Sequence, residues 1–189
     1  GLTEKDVWYF KLGCASTGKY RRRVIMPSFD SLGELNFFVA RSIDSDNRFK
    51  YINAPTDKKT IIFNEYNIDW TKNLTIVEGP FDLGKANENA TCLLGANLTE
   101  EMALFKKIIE FRTPITLALD SDMSYKTQKI ASLLSSYDCQ VKIVDLGKNE
   151  DVGEMSKSEF ASALNLAKLW QSDERLKYKI SKIGSGSIL

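Results

Sequence analysis

Read as a string of apolar and polar positions, the chain changes rhythm near residue 70. Before that point apolar residues come in short runs: Val24-Ile25-Met26-Pro27, Glu34 to Ile43 (ELNFFVARSI), Phe49 to Asn53 (FKYIN) and Thr60 to Phe63 (TIIF). The runs are β-branched or aromatic, and Asp30-Ser31-Leu32-Gly33 and Asp44 to Asn47 break them, which predicts strands joined by hairpins. Pro27 stops its strand or holds it at an edge, because it has no N–H to give a ladder. A short helix from an N-cap at Thr3 to about Leu12, then a small-residue turn from Gly13 to Gly18, come first. Residues 1–70 are thus predicted as a small mixed α+β unit, mostly antiparallel.

From Leu74 the rhythm is strand, helix, strand, helix. Strands are expected at 74–78, 91–94, 115–119 and 140–145, and helices at about 82–89, 99–112 and 124–136. Asn97 and Glu100 have capping-box spacing ahead of an apolar face that includes Met102, Phe105, Ile108 and Ile109. Short links between alternating elements argue for a parallel four-stranded sheet with right-handed crossovers. Ser156 and Glu159 form a second capping box, opening a last helix to about Trp170. Residues 173–182 read as further helix and Gly184-Ser185-Gly186-Ser187 as a flexible tail. The expected segments are 1–70, 71–153 and 154–189.

Two of the predicted strands end abruptly in acid: Leu74 to Val77 runs into Glu78-Gly79-Pro80-Phe81-Asp82, and Ile115 to Leu119 into Asp120-Ser121-Asp122. A third exit, Gly147-Lys148-Asn149-Glu150-Asp151, falls on the same edge. Ligands of open α/β sheets bind just beyond the carboxyl ends of strands. On an extended chain residues two apart share a side, which would set Asp120 and Asp122 together. Each acid taken alone is explained as well by a helix cap or a turn. Three coincident acidic exits are harder to explain that way, because packed like charges repel unless a cation or a proton holds them. Oxygen donors without His or Cys suit a hard ion, Mg²⁺ before Zn²⁺.

Composition narrows the chemistry. The 189 residues contain no histidine, which removes the commonest general base, the Ser-His-Asp triad and His-ligated zinc. The three cysteines (Cys14, Cys92, Cys139) are isolated, giving neither a disulfide framework nor a zinc knuckle, and suit a reducing cytoplasm. No run approaches the roughly 20 apolar residues of a membrane span. The net charge of +1 divides into +2 over residues 1–70, −4 over 71–155 and +3 over 156–189, an acid-rich middle between basic flanks.

The sequence Val77 to Asp82 followed by Leu119-Asp120-Ser121-Asp122 resembles the TOPRIM signature, a Glu after one strand and Asp-x-Asp after a later one. Upstream, Tyr20 to Pro27, Gly33 to Arg41 and Lys50 to Pro55 resemble in order the basic N-terminal subdomain of the DnaG-type primase catalytic core. Leu93 to Thr99, Leu146 to Asp151 and the opening Gly1 to Gly13 match further landmarks, so the resemblance covers roughly residues 1–165. It implies a TOPRIM-type parallel sheet preceded by the basic subdomain and followed by a short helical segment.

The resemblance implies a DNA-dependent RNA primase core that makes short RNA primers on single-stranded DNA with Mg²⁺ or Mn²⁺, two ions in all. Glu78, Asp120 and Asp122 would be the principal ligands, with Asp82 and Asp151 supporting. Arg21, Arg23, Arg41, Lys50, Asn53, Lys58 and Lys59 would bind template and ribonucleoside triphosphates. A replicative helicase and a separate zinc-binding module are the implied partners. The setting would be the cytoplasm of a bacterial or phage-infected cell, and the short, divergent form looks phage-type. The sequence departs from the pattern where Asn149 replaces a usual Asp and where Met123-Ser124-Tyr125 comes after Asp-x-Asp without Gly. The same acids could serve a hydrolytic TOPRIM nuclease. A non-catalytic nucleic-acid-binding module is the other alternative.

Overall fold

The computed structural model describes residues 2–171 apart from Asn87, Ala96 and Glu150, together with Ile180. The helix predicted at 173–182, apart from Ile180, and the Gly/Ser stretch at 184–187 lie outside the described residues, as does Glu150 of the third acidic exit.

The opening helix α1 (Glu4–Tyr9) starts where a capping box allows it. Thr3 Oγ1 accepts from Asp6 N, and the Asp6 carboxylate accepts from Thr3 N at 2.7 Å. Four antiparallel strands come next, in spatial order β1 (Gly13–Cys14), β2 (Arg23–Phe29), β3 (Leu35–Ser42) and β4 (Tyr51–Asn53). The β2–β3 hairpin turns on Asp30, whose Oδ1 accepts from Leu32 N and Glu34 N, and on Gly33 at φ +81°. Pro27 sits inside β2 beyond the two residues that β1 pairs, so its missing N–H costs no ladder bond. The register sets Met26 against Val39 and Val24 against Arg41, and β4 continues the same face with Asn53 and Tyr51.

Thr60 to Phe63 forms no strand, contrary to the sequence expectation. Two 3-10 turns, Lys58–Thr60 and Glu65–Asn67, bracket it, and Ile61, Ile62 and Phe63 are buried. Side chains take the place of a ladder. Thr91 Oγ1 donates to Phe63 O at 2.7 Å, Asn64 Nδ2 to Ala90 O at 3.0 Å, and Ser28 Oγ accepts from Asn64 N.

The second sheet carries β5 (Leu74–Val77), β6 (Ala90–Cys92), β7 (Ile115–Ala118) and β8 (Val141–Ile143), all parallel. A short antiparallel strand, β9 (Lys168–Leu169), closes it, giving the order β6-β5-β7-β8-β9. The sheet is therefore mixed and five-stranded rather than parallel and four-stranded. The last helix, α4 (Lys157–Asn165), stops short of Trp170 because the chain turns back to pair with β8, where Trp170 N donates to Val141 O. Its Ser156/Glu159 capping box forms as expected.

Other boundaries also differ: α1 ends at Tyr9 rather than near Leu12, and β1 occupies the start of the turn expected from Gly13. The helix expected at 82–89 is a 3-10 turn, Pro80–Gly84. The helix α2 (Ala103–Phe111) begins late, with Met102 as N-cap and no side-chain cap, because Glu100 is engaged by the Tyr137 hydroxyl instead. The helix α3 (Ser124–Ser135) lies as predicted to within a residue.

β5 and β7 are buried on both faces, as central parallel strands are. Leu74, Ile76, Ile115 and Leu117 face α2 and α3 through Phe105, Ile108, Ile130 and Leu134. Val77 and Ala118 belong to the other cluster, with Met26, Phe37 and Val39 of the antiparallel sheet and Phe160 of α4. The basic unit thus packs on one face of the parallel sheet. The clasp between Lys157 Nζ and Asp6 Oδ1, at 2.7 Å, ties α1 to the start of α4.

Candidate metal centre

Parallel pairing of β5 with β7 puts Val77 beside Ala118, so both chains leave the sheet at one end. One carboxylate oxygen from each of Glu78, Asp120 and Asp122 falls within 4.8 Å of the others. Glu78 and Asp120 are half-buried and Asp122 is exposed, so the cluster has a dry floor and an open mouth. A 3-10 turn, Ser121–Met123, rather than an extended strand brings Asp122 back to Asp120. Neither aspartate caps a helix through its side chain. Asp120 makes no cap hydrogen bond to the turn, and α3 has Met123 as N-cap with no side-chain bond.

The third exit also arrives here. Asp151 opens the 3-10 turn Val152–Glu154, its Oδ1 accepting from Glu154 N at 2.9 Å. Asp82 Oδ2 accepts from Gly79 N at 2.9 Å, so the turn role open to it from sequence is filled, and its carboxyl still reaches the rim. Burial raises the Asp82 pKa above the ordinary carboxylate range, and Asp151 and Glu78 add to the rise. Asp120 is pushed up to about 7, by burial first and then by the charges of Glu78, Asp82 and Asp151.

These residues fit a hard divalent cation. Glu78 Oε2 and Asp120 Oδ1 are buried with no hydrogen-bond partner, as ligand oxygens facing a cation would be. The pH dependence of stability tests this fit. Asp120 has an ordinary value of 3.8 and a folded one near 7. The folded state therefore holds this proton more tightly, and its stabilising effect is complete below the lower value and lost as pH rises through the upper one. In chelator the melting temperature is expected to fall between pH 5 and pH 7 and to level off above that. Adding Mg²⁺, which replaces the proton, should flatten that fall in a thermal scan. Equal falls with and without Mg²⁺ would count against a cation at this cluster.

The basic residues divide by position. Arg41 lies on the face of β3 that looks toward the acids, its guanidinium 5.8 Å from the Tyr51 ring and 5.4 Å from Phe81. Arg41, Ser42, Phe81, Asp82, Lys85 and Gly153 line a cavity of about 340 Å³ beside the rim. Asn53 shares that face and has a buried, unpartnered Oδ1. Lys50 and Arg21 are exposed. Lys58 Nζ donates to Leu94 O at 2.9 Å, and Lys59 pairs with Glu101 on the surface.

Arg23 stands apart. It is 4% exposed, and its guanidinium donates to the carbonyls of Ala40, Lys50 and Phe49. That side chain holds the β3–β4 connection and does not belong to an open cationic surface. Asn149 likewise turns inward, its Nδ2 donating to Leu146 O at 3.0 Å. Sequence reading missed Phe81, Lys85 and Gly153 as rim residues. Phe81 and Gly153 each lie within two positions of a predicted ligand, the one signal that could have found them.

The structure is thus an antiparallel sheet laid on a mixed α/β sheet, with acids gathered at the strand ends. No family model matches the sequence. In sequence the chain is similar to the DNA primase of Listeria innocua, 28% identical over 151 residues, which is 70% of this chain and 24% of that protein. In fold it is similar to the Aquifex aeolicus primase zinc-binding and RNA polymerase domains. The TM-score is 0.67 at 23% identity, over 93% of this chain and 50% of that one. A DnaG primase catalytic domain bound to single-stranded DNA aligns with TM-score 0.61 at 19% identity, over 88% of this chain and 60% of that one. The chain thus spans about a quarter of the length of its sequence relatives.

Proposed function

We propose that the chain is the catalytic core of a DNA-dependent RNA primase, acting through a TOPRIM-type acid cluster. The observation that carries this is the convergence of Glu78, Asp120 and Asp122 within 4.8 Å at the carboxyl edge of the parallel strands. These three would hold Mg²⁺ or Mn²⁺, with Asp82 and Asp151 helping to hold a second ion. When bound, such ions lower the charge on a triphosphate and orient a hydroxyl nucleophile.

The remaining work falls to the chain's own groups. Arg41, set against the Tyr51 and Phe81 rings, offers a charge to phosphate at the cavity mouth, with Lys85 lining the same cavity. Exposed Lys50 and Arg21 would track the template backbone, with Asn53 near the nucleotide. Lys58 and Lys59, already engaged by Leu94 O and Glu101, would have to exchange those partners for phosphate. A hydroxyl at the growing 3′ end then attacks the α-phosphate in line, and pyrophosphate leaves. Catalysis of this kind is positioning and electrostatics and requires no histidine.

In this reading residues 1–70 bind template, 71–153 carry the acids and 154–189 complete the support. A replicative helicase and a separate zinc-binding module would be partners in a cytoplasmic setting. No helix among the described residues is long and apolar enough to cross a membrane. The deciding experiment supplies single-stranded DNA, labelled ribonucleotides and Mg²⁺ or Mn²⁺, with a zinc-module protein added in parallel. Ribonucleotide incorporation that Glu78→Gln removes is the expected result. Cleavage of the strand without incorporation would make the chain a nuclease instead. DNA binding with neither activity, unchanged in Asp120→Asn, would make it a binding module.

A further inference from the structure

Asp82 and Asp151, from the first and third acidic exits, meet over a glycine. A Cβ placed on Gly153 would stand 3.0 Å from Asp151 Oδ1 and 3.6 Å from Asp82 Oδ1. One small volume beside the Gly153 Cα therefore faces an oxygen from each carboxylate. Asp82 is steadied from behind through its other oxygen, Oδ2, which accepts from Gly79 N–H, while Asp151 Oδ1 itself accepts from Glu154 N–H, each at 2.9 Å. The backbone does not call for glycine, since Gly153 lies outside the left-handed region, at an exposed position of the 3-10 turn. The space does.

We infer that Gly153 is a positioning residue of the acidic rim: by having no side chain it lets Asp82 and Asp151 turn their Oδ1 atoms toward a shared point. A methyl group there must push Asp151 Oδ1, which is held by Glu154 N–H, aside by a few tenths of an ångström, or take up the room that a shared ligand needs. The inference rests on the two-ion reading above and adds the residue that sets the geometry of the supporting pair. Substituting this exposed position is expected to change ion binding and leave folding alone.

The test monitors Mn²⁺ binding by the paramagnetic signal of the free ion, with melting temperature measured in chelator. Wild type is expected to bind two ions. Gly153→Ala should keep the first and weaken the second about 10–100-fold, the scale of lost support around a metal ligand. Its melting temperature in chelator should move by less than about 2 °C. Asp151→Asn, which keeps the shape and removes the charge, should lose the same ion.

A wild-type isotherm in Gly153→Ala, or a large loss of melting temperature in chelator, would overturn the inference, the latter by making the glycine structural. Two ions retained by Asp151→Asn would do the same. A single ion in wild type would overturn this inference and leave the primase reading standing. No Mn²⁺ binding in wild type would remove both.

Discussion

If the proposed primase activity holds, Asp120→Asn is expected to lower primer synthesis by about 10³-fold and, in chelator at pH 8, to raise the melting temperature. The two effects have one cause. Asp120 Oδ1 lies buried without a partner, among Glu78, Asp82 and Asp151, and its pKa is pushed up to about 7. Above that pH the ionised form is repelled by its neighbours, and an amide of the same shape relieves the repulsion. The amide is also a poorer ligand. Loss of several kcal/mol of charge stabilisation in the transition state corresponds to about a thousandfold in rate. Parallel rate assays and thermal scans check the pair. A variant both inactive and less stable in chelator would mean that the carboxylate supports the fold and not a cation.

Arg23→Leu should destabilise the protein by about 3 kcal/mol while leaving the salt dependence of single-stranded DNA binding unchanged. Its guanidinium reaches Phe49 O at 2.8 Å and the carbonyls of Ala40 and Lys50 at 3.3 Å. Leucine strands these acceptors in a buried place, and bonds from charged donors are worth roughly 1.5–3 kcal/mol each, the longer ones less. Exposed Lys50 provides the contrast. If it contacts phosphate, Lys50→Ala should leave stability near wild type and reduce the log-log salt slope by about 0.7. Urea titration and binding at several salt concentrations separate the two. An altered slope in a stably folded Arg23→Leu protein would place the arginine on the nucleic-acid surface after all.

The contrast between Arg23 and Arg41 shows how far sequence reading reaches. Period-2 alternation says which face of a strand each residue takes, and Arg41 falls on the face toward the acids. Alternation does not say whether the opposite face is open. Arg23 is covered because the connection before β4 folds over it, a non-local event with no trace in the local pattern. The acid cluster was legible because Glu78, Asp120 and Asp122 lie just past buried strands, and parallel topology brings those exits to one edge. Gly153 and Phe81 were hard to read as rim residues, since Gly153 meets Asp82 from another exit and Phe81 meets Arg41 and Tyr51 of the antiparallel sheet.

The failures of element assignment have similar causes. Thr60 to Phe63 has strand composition, yet a side chain, Thr91 Oγ1, meets the Phe63 carbonyl, and Asn64 Nδ2 takes the Ala90 carbonyl of the neighbouring strand. Asn97 and Glu100 have the spacing of a capping box, but Tyr137 claims Glu100 first. The two residues of β9 are too few to register as a period at all. Where local signal and tertiary contact agreed, as at Thr3 with Asp6 and Ser156 with Glu159, the boundary was found.

The pairing of Leu74 with Ile115 has a kinetic corollary. The β2–β3 hairpin joins near neighbours and can form early, whereas Glu78 and Asp120 meet only after a long loop has closed. Their mutual repulsion therefore arises late on the folding route. A divalent cation taken up by the cluster would bind only at that moment, and so would act as a folding partner as well as a ligand.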